Sequence, residues 1–289
     1  MEFNITLPIN TKEITMKELL EKEWLVPRKV RHFLRTRKNV LINGDVAMFH
    51  QTVNPGDTIT IIVEDSDYTI PDIILGNKKD VDVLWEDEHI IIVNKPAGKK
   101  THPNQPNETD TLLNDVADYL QDNHQSPYIV HRLDKETSGA ILFAKNPVVL
   151  PILGRMLEQK DITRLYEAKV QGNLNQTTSF TINQPIGRHR HDRRKRVIDK
   201  HKGDKAITHV CVIKQNPDTT LIECQLDTGR THQIRVHLES IGHPIVGDPL
   251  YHPNPKGSSR LQLHAKELSL IHPFTKQKIV VKAKAALRK

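Results

Sequence analysis

The sequence has 289 residues, a length that favours about two domains, at least one of which can bury a sizeable hydrophobic core. Its 42 lysines and arginines exceed its 35 aspartates and glutamates, and the net charge of +7 favours an anionic partner such as nucleic acid. No apolar run reaches the length of a membrane span and residues 1–10 lack the pattern of a secretory signal, so we expect a cytoplasmic protein that does not contact a membrane. Cys211 and Cys224 lie in alternating apolar stretches without metal-ligand spacing, which is typical of ordinary strand residues in a reducing compartment.

Residues 14–63 predict a compact α+β module in which two short helices precede a set of strands. Asn43 and Gly44 are a strong β-hairpin signal, and they stand between two short apolar runs. A second turn with the sequence Pro-Gly-Asp at 55–57 leads into the β-rich run 58–63.

Pro27 opens the second of these helices, whose apolar and cationic residues lie on different faces. Val30, Phe33 and Leu34 share one face, while arginines recur every three or four residues on another. Over residues 1–70, nine cationic and ten acidic side chains nearly cancel, so the module is not basic overall. Six of the cations nevertheless fall within eleven residues that contain no acid: Arg28, Lys29, Arg31, Arg35, Arg37 and Lys38. This segregation suits a phosphate backbone, although on charge alone a solvated helix face is the simpler interpretation.

The pattern over 16–63 resembles the alpha-L motif, the small RNA-binding module shared with ribosomal small-subunit protein four. The matching features are the arginine-rich second helix, the Val-Leu-Ile-Asn-Gly turn at 40–44 and Val-Asn-Pro-Gly-Asp at 53–57. The resemblance implies RNA contacts from Arg28, Arg31, Arg35, Arg37 and Lys38. Residues 64–79 have no clear period and are predicted to form a linker, so a boundary near residue 75 divides the chain into a module at 1–75 and a domain at 76–289.

The second domain is also predicted to be α+β, because short β-type runs alternate irregularly with a few helices. This irregularity favours a mixed, mainly antiparallel sheet over the parallel sheet of a regular strand and helix succession. Predicted strands cover 81–85, 89–94, 140–144, 166–171, 206–213, 221–226 and 261–270, and predicted helices cover 111–121, 148–157 and 231–240. The sequence contains no Walker loop and no Gly-x-Gly-x-x-Gly, so no nucleotide cofactor is expected.

The segment 131–139 has the sequence His-Arg-Leu-Asp-Lys-Glu-Thr-Ser-Gly and is predicted to form a polar loop before the strand 140–144. An acidic residue in such a loop usually accepts hydrogen bonds from nearby backbone amides as a turn or cap residue. In isolation, Asp134 is therefore expected to have a structural role.

A second segment, 227–237, enters a helix with one apolar and one polar face. Ile234 and Leu238 share the apolar face, so Arg235 points elsewhere and is available to another element. The simpler interpretation is an exposed ion pair between Arg235 and Glu239, which contributes little to stability.

Together the two segments resemble the RluA-like family of pseudouridine synthases. Its signature is His-Arg-Leu-Asp-x-x-Thr-Ser-Gly followed later by Gly-Arg-Thr-His-Gln-Ile-Arg, and both occur intact at 131–139 and 229–235. Further matches are Glu-Asp at 86–87, Ile-Ile-Val-Asn-Lys-Pro-Ala-Gly at 91–98, Tyr-Glu-Ala at 166–168, Lys-Ala-Ile-Thr at 205–208, Gly-His-Pro-Ile-Val-Gly-Asp at 242–248 and Leu-His-Ala at 263–265. The resemblance covers essentially 81–273 and implies a catalytic domain of the pseudouridine synthase type, which isomerises uridine within RNA.

The catalytic residues implied by this resemblance are Asp134, Arg235 and Tyr166. The reaction breaks the bond from ribose to uracil N1, turns the bound base and joins the ribose to C5, and it needs neither a redox step nor a cofactor. Asp134 acts either by covalent attack or by assisting elimination to a glycal, and the sequence leaves both routes open. Arg235 keeps Asp134 ionised, because a neighbouring guanidinium favours the charged form of a carboxyl group. Tyr166 stacks on the uracil, near the proton that must leave C5.

The resemblance also implies substrate-binding residues in the same segments. Arg132 helps to displace the target nucleotide, because an enzyme cannot reach a stacked uridine without flipping it out. Lys95 shapes the pocket wall, and the whole set comprises Arg132, His131, Thr137, Lys95, Arg230 and His232. Two departures from the family pattern are Lys-Lys-Thr at 99–101, where the family is usually apolar, and Arg164, where a lysine is usual.

Residues 188–205 form a strongly cationic stretch, with nine lysines and arginines against three aspartates. We predict a flexible hairpin arm that grips RNA through Arg193, Arg194 and Arg196. Three interleaved histidines raise the question of a metal site. Adjacent cations would repel a metal ion and the cysteines of a typical zinc site are missing, so no metal is expected.

Two other functions are compatible with the sequence. In the first, the chain is a non-catalytic RNA-binding assembly factor, which fits the charge pattern equally well but leaves the intact catalytic set unexplained. In the second, it is an N-glycoside hydrolase with paired carboxylates, for which Glu136 or Asp227 would supply the second acid. The resemblance and the additional module favour structured RNA as the partner, in particular large-subunit ribosomal RNA, and a monomer is the default expectation.

Overall fold

The computed structural model describes residues 1–64, 68, 71–174, 178–252, 258 and 260–284. The first part of this described chain contains six strands: β1 Glu2–Thr6, β2 Ile14–Thr15, β3 Val40–Ile42, β4 Asp45–Val46, β5 Thr52–Val53 and β6 Thr58–Ile62. Four of them form a sheet with the order β1-β6-β3-β4, and β2 pairs with β5. Asn43 and Gly44 join β3 to β4 with φ angles of 52° and 93°, as the predicted tight turn requires.

Two helices precede the β3–β4 hairpin. Helix α1 covers Met16–Glu18 and continues as a π-helical turn over Leu19–Glu23. Its start is stabilised by reciprocal hydrogen bonds between Thr15 and Glu18, the arrangement known as a capping box. Helix α2 covers Arg28–Thr36 and begins directly after Pro27, as predicted.

The rest of the described chain is dominated by a ten-stranded sheet, with a separate two-stranded hairpin beside it. In chain order the strands are β7 Val83–Glu86, β8 Ile90–Lys95, β9 Tyr128–Ile129, β10 Ser138–Ala144, β11 Ile162–Gln171, β12 Ser179–Asn183, β13 Ile186–Arg188, β14 Arg196–Ile198, β15 Ile207–Gln215, β16 Thr219–Leu226, β17 Leu263–Ile271 and β18 Lys278–Lys282. Three helices accompany them: α3 Leu112–Leu120, α4 Val149–Glu158 and α5 Gln233–Ser240.

The large sheet has the order β12-β15-β16-β11-β17-β10-β8-β7, with β18 paired to β17 and β9 paired to β10. Strands β10 and β17 run parallel, and the remaining pairs of this sheet run antiparallel. The predicted mixed, mainly antiparallel α+β fold is therefore confirmed. The hairpin of β13 and β14 occupies the cationic stretch in which an arm was predicted.

The parallel pair of β10 and β17 brings the loop 131–137 next to the centre of the sheet. Gly139 and Ala265 are neighbours in this pair, and a side chain on Gly139 would lie 2.2 Å from the backbone oxygen of Ala265. Gly139 also has a backbone φ of 115°, which residues other than glycine rarely adopt. On the other side of β17, Ala265 pairs with Tyr166 of β11. Gly139, which follows the loop, therefore lies in the same row of the sheet as Tyr166, two strands and about 10 Å away.

The smaller and larger sheets share one hydrophobic core. Trp24 from the end of the π-helical turn packs edge-on against Phe274, with ring centroids 5.0 Å apart, and both side chains are buried. Arg155 of α4 adds a 2.8 Å hydrogen bond to the carbonyl of Leu25. The boundary near residue 75 stays a prediction, and residues 65–67 and 69–70 of the predicted linker lie outside the described residues. None of the helices among the described residues combines the length and the apolar composition of a membrane span.

Candidate active site

A cavity of about 500 Å³ opens where the loop 131–137, β11 and the start of α5 meet. Its wall combines an apolar floor from Leu226 and Leu263 with a concentration of charged groups. The catalytic and substrate-binding residues predicted from the sequence that line it are Asp134, Arg235, Tyr166, Arg132, His131, Thr137, Arg230 and His232. Lys95 belongs to the predicted set but is not part of this wall.

Asp134 and Arg235 meet inside the cavity. The Nη1 atom of Arg235 donates a hydrogen bond of 3.2 Å to Oδ2 of Asp134, across 101 residues of sequence. The Arg235 side chain is 3% exposed and Asp134 is 19% exposed, so the guanidinium lies in the wall and the carboxylate remains accessible. Arg235 is therefore directed at Asp134 rather than at Glu239, and Asp134 is more than a turn residue.

A second carboxylate, that of Asp248, holds the other side of Arg235. Both of its oxygens accept hydrogen bonds of 2.8 Å, from Nε and Nη2 of Arg235, and it is fully buried. Burial alone would raise the pKa of Asp248, but the hydrogen bonds and charge of Arg235 lower it instead. Burial would also lower the pKa of Arg235, and its hydrogen bonds to Asp248 more than offset this, so the pKa is raised. The guanidinium thus stays charged and aimed at Asp134.

Both chain neighbours of Asp134 are anchored to the segment 95–101. The hydroxyl of Thr101 donates to the carbonyl of Leu133 at 2.8 Å and accepts from the Leu133 amide at 3.2 Å. The buried Nζ of Lys95 donates to the carbonyl of Lys135 at 2.9 Å and also to two carbonyls of its own turn. Burial lowers the pKa of Lys95 to about 7. The structure therefore places Lys95 beneath the loop 131–137, where it can support the loop but does not line the cavity.

Tyr166 lies in β11 where the pairing with β17 shifts by one residue, and its ring lines the cavity. Burial raises the pKa of its phenol, and the charge of Asp134 acts in the same direction against the opposing charge of Arg164. A neutral phenol at this position offers an apolar face and a hydrogen-bond donor. Arg164, which departs from the family pattern, also lines the cavity, and its Nε is buried without a hydrogen-bond partner among the described residues.

The remaining predicted substrate-binding residues differ in how free their side chains are. His131 is buried, and its Nε2 accepts a hydrogen bond of 3.1 Å from the Leu142 amide, which fixes it to β10. Arg132 is exposed at the cavity rim. Arg230 is also exposed and donates to the carbonyl of Lys205 at 3.2 Å. The imidazole of His232 lies 3.8 Å from Oδ2 of Asp134.

Two residues of this site were not predicted from the sequence. Asp248 belongs to a segment that matched the family pattern, but no charge partner was assigned to it. The position of an acid directly after the apolar residues 245–246 was the available signal, because buried carboxylates are normally paired. Tyr251 follows it and stacks against the guanidinium of Arg235, 5.0 Å from the ring centroid. Its own sequence context carried no comparable signal.

The predicted RNA-binding cations lie on the surface, and several already have partners. Arg31 pairs with Glu21 at 2.9 Å, Arg37 pairs with Glu64 at 3.3 Å and Arg194 pairs with Asp192 at 2.8 Å. Arg196 is half-buried and donates to the backbone carbonyls of residues 193 and 195. The exposed members without an ion pair to a described residue are Arg28, Arg35, Lys38 and Arg193. Among the described residues, no group of three or more possible ligands could hold a metal ion.

Comparisons with known proteins show which family the sequence and the fold resemble. A family model described as RNA pseudouridylate synthase matches residues 89–240, and one described as the RluD ribosomal pseudouridine synthase N-terminal domain matches residues 3–59. The chain is 38% identical to an uncharacterized RNA pseudouridine synthase of Bacillus subtilis, covering 94% of this chain and 92% of the relative. It is 36% identical to ribosomal large subunit pseudouridine synthase D of Nitrosomonas europaea, covering 94% of this chain and 81% of the relative. The solved structure of human RNA pseudouridylate synthase domain containing 1 shares the fold, with a TM-score of 0.60 and 24% identity over 72% of this chain and 85% of that chain.

Proposed function

The chain belongs to the RNA pseudouridine synthase family, and we propose that it isomerises uridine to pseudouridine in large-subunit ribosomal RNA with Asp134 as the reacting carboxylate. The observation that carries the proposal is the Asp134–Arg235 pair at 3.2 Å inside a cavity of about 500 Å³ that also contains Tyr166. The relative from Nitrosomonas europaea, whose name specifies the ribosomal large subunit, supports this choice of RNA.

The reaction requires an ionised carboxylate beside a base that is enclosed but able to turn. In the proposed reaction, the bond between C1′ and N1 breaks, N1 and C5 exchange places relative to the ribose, and C1′ bonds to C5. The proton from C5 leaves and N1 gains one, so the product has the mass of the substrate. Covalent attack and assisted elimination both use the carboxylate form of Asp134, and Arg235 holds that carboxylate by a hydrogen bond of 3.2 Å.

Access to the uridine requires that it leave its base stack. We propose that Arg132, exposed at the rim, enters the space that the flipped nucleotide vacates, while Tyr166 stacks on the uracil in the cavity. The exposed cations of α2 and of the β13–β14 hairpin then hold the surrounding phosphates. We expect a cytoplasmic monomer that acts without a cofactor.

The alternative of an N-glycoside hydrolase requires a second free acid near Asp134. Asp227 lines the cavity, but its carboxylate is bound by Lys160 at 2.8 Å and His209 at 3.0 Å. Glu136 is not part of the cavity wall. The geometry therefore supports neither Asp227 nor Glu136 as the second acid of a hydrolase.

The test is incubation of the purified protein with a transcript of large-subunit ribosomal RNA that lacks modifications. We expect pseudouridine at one or a few mapped positions, no release of free uracil, and no pseudouridine with Asp134→Asn. Release of uracil would instead demonstrate hydrolysis. Pseudouridine mapping in cells that carry wild-type protein, Asp134→Ala or no gene tests the non-catalytic alternative, because an assembly factor would retain its biological activity in the Asp134→Ala strain.

A further inference from the structure

Arg235 and His232 both approach the same oxygen of the Asp134 carboxylate, and Arg235 donates a hydrogen bond to it. Nη1 of Arg235 lies 3.2 Å from Oδ2, and Nε2 of His232 lies 3.8 Å from the same atom. No described residue donates a hydrogen bond to Oδ1. A carboxylate held through one oxygen in this way presents the other oxygen to whatever enters the cavity.

His232 is itself held by Tyr251, which is in turn held by the cationic hairpin. The backbone amide of Arg196, the first residue of β14, donates to the Tyr251 hydroxyl oxygen at 2.7 Å. The Tyr251 hydroxyl lies 2.9 Å from Nδ1 of His232. Because that oxygen already accepts from Arg196, its own proton is available to Nδ1, and Nδ1 then acts as an acceptor. This arrangement leaves the proton of a neutral imidazole on Nε2, the atom nearest Asp134.

The surroundings of His232 favour this neutral form. Burial lowers its pKa, and the positive charges of Arg235 and Arg196 act in the same direction. Asp134 and Asp248 oppose them, but the pKa remains below its ordinary value. The backbone of His232 has a φ of 59° where α5 begins, so the ring enters the site from a constrained position. Stacking of Tyr251 on Arg235 restrains the second donor as well.

We propose that His232 and Tyr251 are positioning residues, which orient Asp134 so that Oδ1 faces the uridine and which connect that carboxylate to the RNA-binding hairpin. The inference rests on the proposed function and deepens it. Two hydrogen bonds connect this group, from the amide of Arg196 to the Tyr251 hydroxyl and from that hydroxyl to Nδ1 of His232. Nε2 of His232 then lies 3.8 Å from Oδ2 of Asp134, a polar contact that is longer than a hydrogen bond. We expect this contact to shorten to a hydrogen bond when the uridine is bound, as contacts of catalytic groups often do.

The Tyr251→Phe variant separates this role from packing, because it removes the hydroxyl and retains the ring on Arg235. We expect kcat to fall about tenfold with KM and RNA affinity unchanged, which is the effect of losing one hydrogen bond that matters in the transition state. His232→Ala should lower kcat by a similar factor. In the double variant kcat should fall little further than in either single variant, because both substitutions interrupt the same series of contacts to Asp134. Tyr119→Phe is the matched control, since it removes a hydroxyl that bonds Glu86 at 2.9 Å outside the cavity, and its kcat should equal that of the wild type.

Nitrogen NMR of the histidine-labelled full chain provides a readout that does not depend on turnover, with the His232 signal assigned by its loss in His232→Ala. We expect the Nε2–H tautomer in the wild type between about pH 6 and 8, and a midpoint that rises toward the ordinary histidine value in Tyr251→Phe. Wild-type kcat in Tyr251→Phe, fully multiplicative losses in the double variant, or an Nδ1–H tautomer would each overturn the inference. Failure of the wild type to form pseudouridine would instead reject the proposed function, while the NMR result would still decide whether the hydrogen-bond chain exists.

Discussion

The cavity and the cationic surface use positive charge in opposite ways. In the cavity, Arg235 is almost fully buried and is held by two carboxylates and an aromatic ring. On the surface, Arg28, Arg35 and Arg193 are exposed and have no ion-pair partner among the described residues. The first arrangement fixes one charge in one direction, whereas the second leaves several charges able to adapt to an irregular partner.

This contrast determines how each region should respond to mutation and to salt. An exposed ion pair contributes about 0 to 1 kcal/mol and is screened by salt, so no single surface cation is decisive. Removing one partner of a buried pair leaves the other charge uncompensated, at a cost of about 3–5 kcal/mol. Activity should therefore depend on a few buried groups, and affinity should be distributed over many exposed ones.

The largest expected effect belongs to Arg235. Arg235→Gln should reduce kcat by about 10³-fold and destabilise the protein by about 3–5 kcal/mol, because Asp134 and Asp248 lose their shared counter-charge. Single-turnover kinetics and urea unfolding measure the two effects. Arg235→Lys retains the charge and should recover part of the stability. Arg193→Gln is the surface control, and equal loss of kcat in Arg193→Gln and Arg235→Gln would refute the contrast.

A second test uses pH and two histidines. Burial lowers the pKa of His131 to about 3, so its neutral form is required in the folded state, while the unfolded chain takes up the proton near the ordinary value of 6.5. This difference in pKa contributes to the free energy of unfolding. The contribution is fully present above about pH 6.5 and is lost as the pH falls toward 3. When the pH falls from about 7 to about 5, protonation of His131 in the unfolded chain should lower the free energy of unfolding by about 2 kcal/mol. His131→Gln should lack this component in urea unfolding, whereas a change at exposed His191 should leave it intact.

Thr101→Val tests how the loop 131–137 is supported. The substitution removes the hydroxyl that binds both backbone groups of Leu133, next to Asp134, and retains a similar side-chain shape. We expect about 1–2 kcal/mol lower stability and about tenfold lower kcat, with RNA affinity unchanged. Thr36→Val is a suitable control, because Thr36 is exposed and its hydroxyl donates only to backbone carbonyls of α2 itself. Unaltered kcat in Thr101→Val would show that the loop keeps its position without this contact.

The smallest effects are expected on the hairpin, where Arg193 and Arg194 provide a matched pair. Arg193→Gln should weaken RNA binding about threefold to tenfold and reduce the slope of log affinity against log salt by about 1. Arg194→Gln should change both less, because Asp192 already neutralises that guanidinium at 2.8 Å. Filter binding at several salt concentrations measures the affinities and slopes. A larger loss from Arg194 than from Arg193 would show that RNA displaces Asp192.

The sequence was most informative where one segment determines its own structure. The Asn43–Gly44 turn and the start of α2 after Pro27 follow from local backbone preferences, and both are present. Two intact segments pointed to Asp134 and Arg235, which the structure brings together. Strands β1, β12 and β18 were not predicted, because each covers only five residues and therefore gives a short periodic signal.

The sequence was least informative about pairings that only the tertiary fold creates. Asp248 is one acid among 35 acidic residues, and its bidentate contact with Arg235 depends on how the chain turns after α5. Lys95 was expected at the pocket wall, but its burial under the loop could not be inferred from a residue type that is normally exposed. The pairing of Arg31 with Glu21 likewise required the packing of α2 against the preceding turn.

The contact of Trp24 with Phe274 fixes the distance between the two sheets. Because these buried rings join the two sheets in one core, α2 and Asp134 stand at a fixed distance from each other and do not move as independent domains. An RNA that α2 grips can then offer to Asp134 only those uridines that lie at the matching distance in its folded shape. The reach of the molecule, and not only the chemistry of its cavity, would decide which uridine reacts.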